Sequence, residues 1–389
     1  MKYLIILIVL AVHATVHSQG DFDELIKTVE NNNKELETLR KTTEARTLLY
    51  KTGLTLQNPQ VSFDYMIGSP VTAGNQTDAL ISQSFDFPSV YPKRKQLSNE
   101  KIKQIEFDYQ LQRQEILLQA KQVIIDQIYR NKLANQYQQR LKNNELLVKS
   151  FETKIAIGDA TIMELNKAKL QLIELKKLNS LNESQIAQNN SLLTGLNGGN
   201  RIELADTLYP NLMLPSTFEE YIVTINSNDP YLQNLEQENA IAIKQLELNK
   251  SLALPKFELG YHYQGILGQR FNGAHFGITI PLWEHKNTIK FANAALAVNN
   301  IEQVQYINDR YYELKSKYDQ FGAQSTALSE YQEVFNNNYS AAVLLKGLNY
   351  GEISTIEYYN ELNYYNTNYD LYLATEKEKY LVLIDLLKY

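Results

Sequence analysis

Residues 58–65 read Asn58-Pro59-Gln60-Val61-Ser62-Phe63-Asp64-Tyr65, and residues 254–261 read Leu254-Pro255-Lys256-Phe257-Glu258-Leu259-Gly260-Tyr261. In both, a proline opens a stretch in which apolar side chains alternate with polar or small ones, the period of a strand with two unlike faces. A second pair follows, Phe85-Asp86-Phe87-Pro88 and Ile278-Thr279-Ile280-Pro281, and then a third, Ile157-Gly158-Asp159 and Tyr350-Gly351-Glu352. Pro88 to Gly158 is 70 residues (158 − 88), and Pro281 to Gly351 is also 70 (351 − 281). Pro59 and Pro255 lie 196 apart and the later landmarks 193 apart, so the first hairpin is three residues longer (196 − 193). The chain is one unit written twice.

Outward from these landmarks, each unit reads as helix, β-hairpin, long helix and shorter helix. The first has helix over 33–56, strands over 61–67 and 77–87, and helices over 93–157 and 160–193. The second has helix over 231–253, strands over 256–264 and 274–282, and helices over 285–350 and 354–388. Pro and Gly are nearly absent from the long helices, which are rich in Gln, Leu, Lys, Glu and Asn. Ile116, Leu117, Val123, Ile124 and Ile128 recur at the three- and four-residue spacing of a coiled-coil seam. In each unit the two shorter helices sum to nearly the length of the long one. Stacked end to end beside it, they would close a wall of constant height rather than a globular core. The intervening stretch 196–216, with Gly198, Gly199, Pro210 and Pro215, reads as a linker. The domain reading is therefore a signal segment 1–18, a first repeat 19–195, the linker 196–216 and a second repeat 217–389.

Lys2, the short apolar run 4–12 and Val16-His17-Ser18 have the order of a secretory signal. No later run reaches the ~18 apolar residues of a membrane helix, leaving β-structure as the way for an exported chain to enter lipid. Four strands cannot close a barrel by themselves, since bacterial barrels have at least about eight. Three copies would supply twelve. Phe87, Tyr91 and Trp283 then fall where strands hand over to helices, the place of an interfacial aromatic.

Among 389 residues there are 38 Lys and Arg against 44 Asp and Glu, a net charge of −6, and no Cys. That balance argues against a nucleic-acid binder. Lack of Cys excludes disulfides, thiol nucleophiles, iron–sulfur clusters and an N-terminal lipoprotein anchor. No P-loop, GxSxG, HExxH or Cys/His pair occurs. His262 and His275 stand on the polar strand face without companions at ligand spacing. A non-enzymatic chain without cofactor or metal is expected.

The duplicated helix–hairpin–helix unit and its two glycine turns resemble the TolC-type outer-membrane efflux proteins of Gram-negative bacteria. The turns carry the resemblance best, reading Ile157-Gly158-Asp159-Ala160-Thr161-Ile162-Met163-Glu164-Leu165 and Tyr350-Gly351-Glu352-Ile353-Ser354-Thr355-Ile356-Glu357-Tyr358. The wording Gly351-Glu352-Ile353 with Glu357-Tyr358 looks most like the heavy-metal-cation branch of that family. The resemblance implies a mainly α homotrimer: a helical coiled-coil tunnel topped by a twelve-stranded transmembrane β-barrel, four strands from each chain. It implies an outer-membrane location with a periplasmic extension, and a tip that docks on a periplasmic adaptor (membrane fusion protein) and an inner-membrane pump of the RND type. Gly158, Asp159, Gly351 and Glu352 would form the tip turns and adaptor contact. Glu164 and Glu357, six positions after each turn glycine, would line the closed entrance. A basic latch two positions after the second glycine is common in the family, and this chain has Ile353 there. The readings in competition are the exit duct of a type I protein secretion system and a secreted coiled-coil structural or adaptor protein without a barrel.

Overall fold

The computed structural model describes residues 19–336 and 340–388, so the signal segment lies outside the described residues. In chain order the elements are α1 (Gln19–Asn32), α2 (Lys34–Tyr50), β1 (Gln60–Met66), β2 (Gln76–Phe85), α3 (Val90–Ala156), α4 (Ile162–Leu196), α5 (Phe218–Asn228), α6 (Pro230–Leu252), β3 (Lys256–Ile266), β4 (Gln269–Thr279), α7 (Thr288–Asn336), α8 (Ala341–Tyr350) and α9 (Thr355–Leu386). The fold is mainly helical with one four-stranded antiparallel sheet in the order β1-β2-β3-β4. Both repeats therefore carry the expected plan.

Three boundaries differ from the sequence reading, each for a local reason. Helices α1 and α5 precede the helices expected at 33 and 231. Each ends at a buried cap: the Leu36 N–H donates to Asn33 Oδ1 at 2.9 Å, and the Tyr231 N–H donates to Asp229 Oδ1 at 2.8 Å. Residues 33 and 229 are again 196 apart, so this break belongs to the repeat. The second long helix, expected over 285–350, is divided. Ser340 is extended (φ −146°, ψ 153°), and its hydroxyl caps the Val343 N–H to start α8. The extra length of the first hairpin lies in its connection, 67–75, which contains a short 3₁₀ turn, Val71–Ala73. The second hairpin turns through Leu267 and Gly268 alone, both at positive φ (49° and 82°), as a two-residue primed turn requires.

The chain divides into two compact units, each drawing on both repeats. The first comprises Glu115–Phe218, Ser316–Lys388 and the described residues up to Leu36. Here the seam of α3 buries Ile124, Ile125, Ile128 and Leu133, and Arg140 forms a two-pronged ion pair with Asp370 of α9 at 2.7 and 2.8 Å. Such fork-on-carboxylate pairs fix register as well as charge. The linker is held against this unit. Asn131 Nδ2 donates to the carbonyls of Leu204 and Asp206 (both 2.9 Å), Tyr318 OH donates to Pro215 O (2.8 Å), and buried Tyr209 stacks on Tyr380 at 4.2 Å. The second unit comprises Glu37–Gln114 and Glu219–Lys315 and contains the sheet.

Candidate functional site

Two places carry the expected functional residues, one in each unit. In the first unit both glycine turns are built alike. Gly158 (φ +78°) and Gly351 (φ +72°) occupy the left-handed region that ends a helix. The next N–H reaches back five residues, Asp159 to Lys154 O and Glu352 to Gly347 O, both at 2.9 Å. A Cβ on either glycine would meet nothing within 4 Å, so backbone conformation rather than space selects glycine.

Past each glycine the chain enters a reciprocal cap. The Glu164 N–H donates to Thr161 Oγ1 (3.3 Å) while Glu164 Oε2 accepts from the Thr161 N–H (2.8 Å). Glu357 repeats this with Ser354, at 3.2 and 2.8 Å. The sequence signal for this cap, [Ser/Thr]-x-x-Glu at the head of a helix, stands in Thr161-Ile162-Met163-Glu164 and Ser354-Thr355-Ile356-Glu357. Both carboxyls lie below the ordinary carboxylate range: Glu164 through the Thr161 N–H and hydroxyl with help from the Thr355 hydroxyl, Glu357 through the Ser354 N–H and hydroxyl. Both are anions at neutral pH, Glu357 exposed and Glu164 half-buried.

Behind the caps the two turns share a core of Leu147, Phe151, Leu165, Ala168, Tyr358, Tyr359 and Leu362, with Ala160 and Ile353 packed against it. Ile353, at the position of the missing basic latch, is thus part of an apolar cluster. Outside it, Ile157, Ile162, Met163, Tyr350 and Ile356 are exposed.

In the second unit, register sorts the strand residues by face. Val61, Ile81, Tyr261 and Ala274 form one row, Phe63, Ala79, Tyr263 and Asn272 the next, and Phe85, Phe257 and Ile278 another. This face is mainly apolar, with Gln83, Asn272 and Arg270 among its polar members, and its large side chains are uncovered: Phe63 is 67% exposed, Tyr261 52% and Phe276 77%. The opposite face carries Ser62, Asp64, Asp78, Glu258, His262 and His275, with His262 Nε2 2.5 Å from Asp78 Oδ1. The outer edges of β1 and β4 have no strand partner among the described residues.

The three aromatics expected at a barrel–helix interface separate by environment. Phe87 packs against Val90, Leu97 and Leu248, and its ring lies 6.3 Å from Phe257. The Tyr91 hydroxyl accepts from the Asp86 N–H at 2.9 Å. Trp283 is 80% exposed.

No protein-family profile matches the chain. No curated protein matches it by sequence. Solved structures do match in shape. A membrane protein of Pseudomonas aeruginosa superposes with a TM-score of 0.80 at 12% identity, over 95% of this chain and 90% of that one. CusC, a protein of transmembrane channel formation, gives 0.75 at 14% identity, over 95% and 91%. The outer-membrane protein VceC of Vibrio cholerae gives 0.75 at 12% identity, over 95% and 96%. The four-stranded sheet, the divided helices and the paired glycine turns of this chain thus compose the fold of the TolC-type outer-membrane efflux channels.

Proposed function

We propose that the chain is one of three copies of an outer-membrane exit channel, a passive duct rather than an enzyme. The observation that supports this most is the sheet. It turns a mainly apolar face to one side and a mainly polar face to the other, and leaves the outer edges of β1 and β4 unpaired among the described residues. In water such edges invite aggregation and in lipid they are forbidden, so closure with further copies resolves both. Twelve strands make a barrel with a polar lumen, and the helices continue as a periplasmic tunnel. Phe87, Tyr91 and Trp283 mark the headgroup level.

In this reading Gly158, Asp159, Gly351 and Glu352 form the tip that meets a periplasmic adaptor, itself coupled to an inner-membrane pump of the RND type. Glu164 and Glu357, held ionised by their caps, supply six carboxylates in a trimer and bias the entrance toward cations. Export of metal cations is the substrate class this favours.

The test is direct. The protein fractionates with outer membranes, resists carbonate extraction, runs as a trimer in mild detergent and conducts in planar bilayers. A monomer that passes no current ends the proposal, and a soluble fraction after carbonate favours a secreted coiled-coil protein instead.

A further inference from the structure

Beside the crossover from β2 to α3 lies a recess of about 480 Å³, walled by Phe85, Pro88, Tyr91, Phe257 and Leu259, with Asp86 at its margin. The recess is shallow and wide open to its surroundings. Phe85 stands opposite Phe257 and Gln83 opposite Leu259, so the recess continues the apolar face of the sheet. Its polar groups are already engaged: the Asp86 carboxylate accepts from Arg94 Nη2 at 2.9 Å, and the Asp86 N–H donates to the Tyr91 hydroxyl. The walls that remain are almost entirely carbon.

Of the three cations in residues 86–95, Arg94 is paired with Asp86 at 2.9 Å and Lys93 with Glu247 at 2.6 Å. Lys95 is exposed and lies four residues, one helical turn, beyond Tyr91 of the recess wall. A hydrocarbon recess continuous with the apolar face of the sheet, with the Lys95 ammonium one helical turn from its wall, matches a molecule that joins an alkyl chain to an anion.

We propose that this recess seats one acyl chain of a glycerophospholipid, its phosphate against the segment 91–95, one lipid for each chain. The proposal rests on the channel reading, because it requires the sheet to lie in a bilayer.

The experiment uses the full-length protein purified in mild detergent with dioleoylphosphatidylglycerol, the retained lipid being counted by native mass spectrometry. In parallel, wild type and Lys95→Glu are reconstituted into vesicles of dibrominated phosphatidylglycerol, where Trp283, the one tryptophan of the sequence, reports bilayer contact by quenching. The expected result is quenched Trp283 and one tightly held lipid per chain. Leu259→Trp, which fills the recess, lowers occupancy about tenfold or more, as loss of a few buried methylenes should. Lys95→Glu lowers it severalfold while quenching persists, which guards against a Leu259→Trp chain that fails to fold. Quenched Trp283 in lipid-free trimers, or retention that neither substitution changes, overturns the lipid site and leaves the channel standing. So does a Leu259→Cys chain that cross-links efficiently to a second copy, since protein would then cover the recess. Unquenched Trp283 in a protein that does not enter the vesicles overturns both.

Discussion

The paired turns and the sheet are each assembled from both repeats, yet they dispose of apolar side chains in opposite ways. At the turns, Phe151, Leu165, Tyr358 and Tyr359 close over one another within a single chain. In the sheet, Phe63, Tyr261 and Phe276 stay uncovered. Burying a large apolar side chain contributes roughly 1.5–3 kcal/mol. That gain is realised inside one chain at the turns and left outstanding at the sheet. The turns are therefore a property of the monomer, whereas on the channel reading the sheet is completed only by lipid and by further copies.

The largest expected effect breaks the sheet side of this contrast. Phe276→Arg places a cation on the apolar face, at a cost of about 2–4 kcal/mol per site near a bilayer midplane and about three times that for a trimer. Outer-membrane assembly and conductance should be lost. Ser62→Arg, on the opposite face, should leave assembly intact and alter only conductance. If both variants assemble equally well, the exposed face is not a lipid face.

The next effect belongs to the turns. Phe151 is 3% exposed and lies 6.4 Å from the Tyr359 ring, nearly parallel to it. Phe151→Ala should cost about 3–5 kcal/mol in local stability. Hydrogen exchange should show faster opening around 145–170 and 350–365, with exchange in the strands unchanged. Coupled loss of protection in the strands would show that the two regions do not fold independently.

The same contrast explains what the sequence made legible. Strand alternation at Val61-Ser62-Phe63-Asp64-Tyr65 survives because each strand has one apolar and one polar neighbourhood, and the repeat survives because prolines and glycines punctuate both copies at equal spacing. Less was visible where structure depends on long-range partners. Asn33 breaks a helical pattern not by its type but because its side chain is buried, capping Leu36 and donating to the Leu196 carbonyl. The linker is void of periodicity, and its order comes from contacts with helices such as that of Tyr209 with Tyr380. At the candidate site the glycines and acids were located by spacing. The capping role of Glu164 and Glu357 is also written locally, in Thr161 and Ser354 three residues before each.

A smaller effect tests whether the turn glycines serve conformation. Both sit at positive φ with open space around them. Gly158→Ala and Gly351→Ala should each cost about 1–2 kcal/mol, the usual price of a left-handed residue with a Cβ. Gly→Asn at either position should recover part of that in urea denaturation, because Asn tolerates this region. A failure of Asn to recover stability would point to a contact that requires bare backbone.

The smallest effect on stability carries the most information about transport. Glu164→Gln with Glu357→Gln keeps an acceptor at the third helical position, since Gln can close the same cap, and removes only charge. The loss of fold stability at neutral pH should therefore be small, because solvent screens a charge at an exposed helix start. Its pH dependence has a definite sign. Both carboxyls titrate lower when folded than when unfolded. Their contribution is thus complete above the ordinary Glu range near ~4.3 and is lost as pH falls below it through the depressed folded values. In the double Gln variant that acid-side step should shrink. Conductance separates the capping role from the pore role. If six carboxylates bias the entrance, reversal potentials across a salt gradient shift toward zero selectivity in the variant at pH 7, and in wild type as the acids are protonated. If the potentials do not move while the acid-side stability step shrinks, the two glutamates serve the helix starts alone.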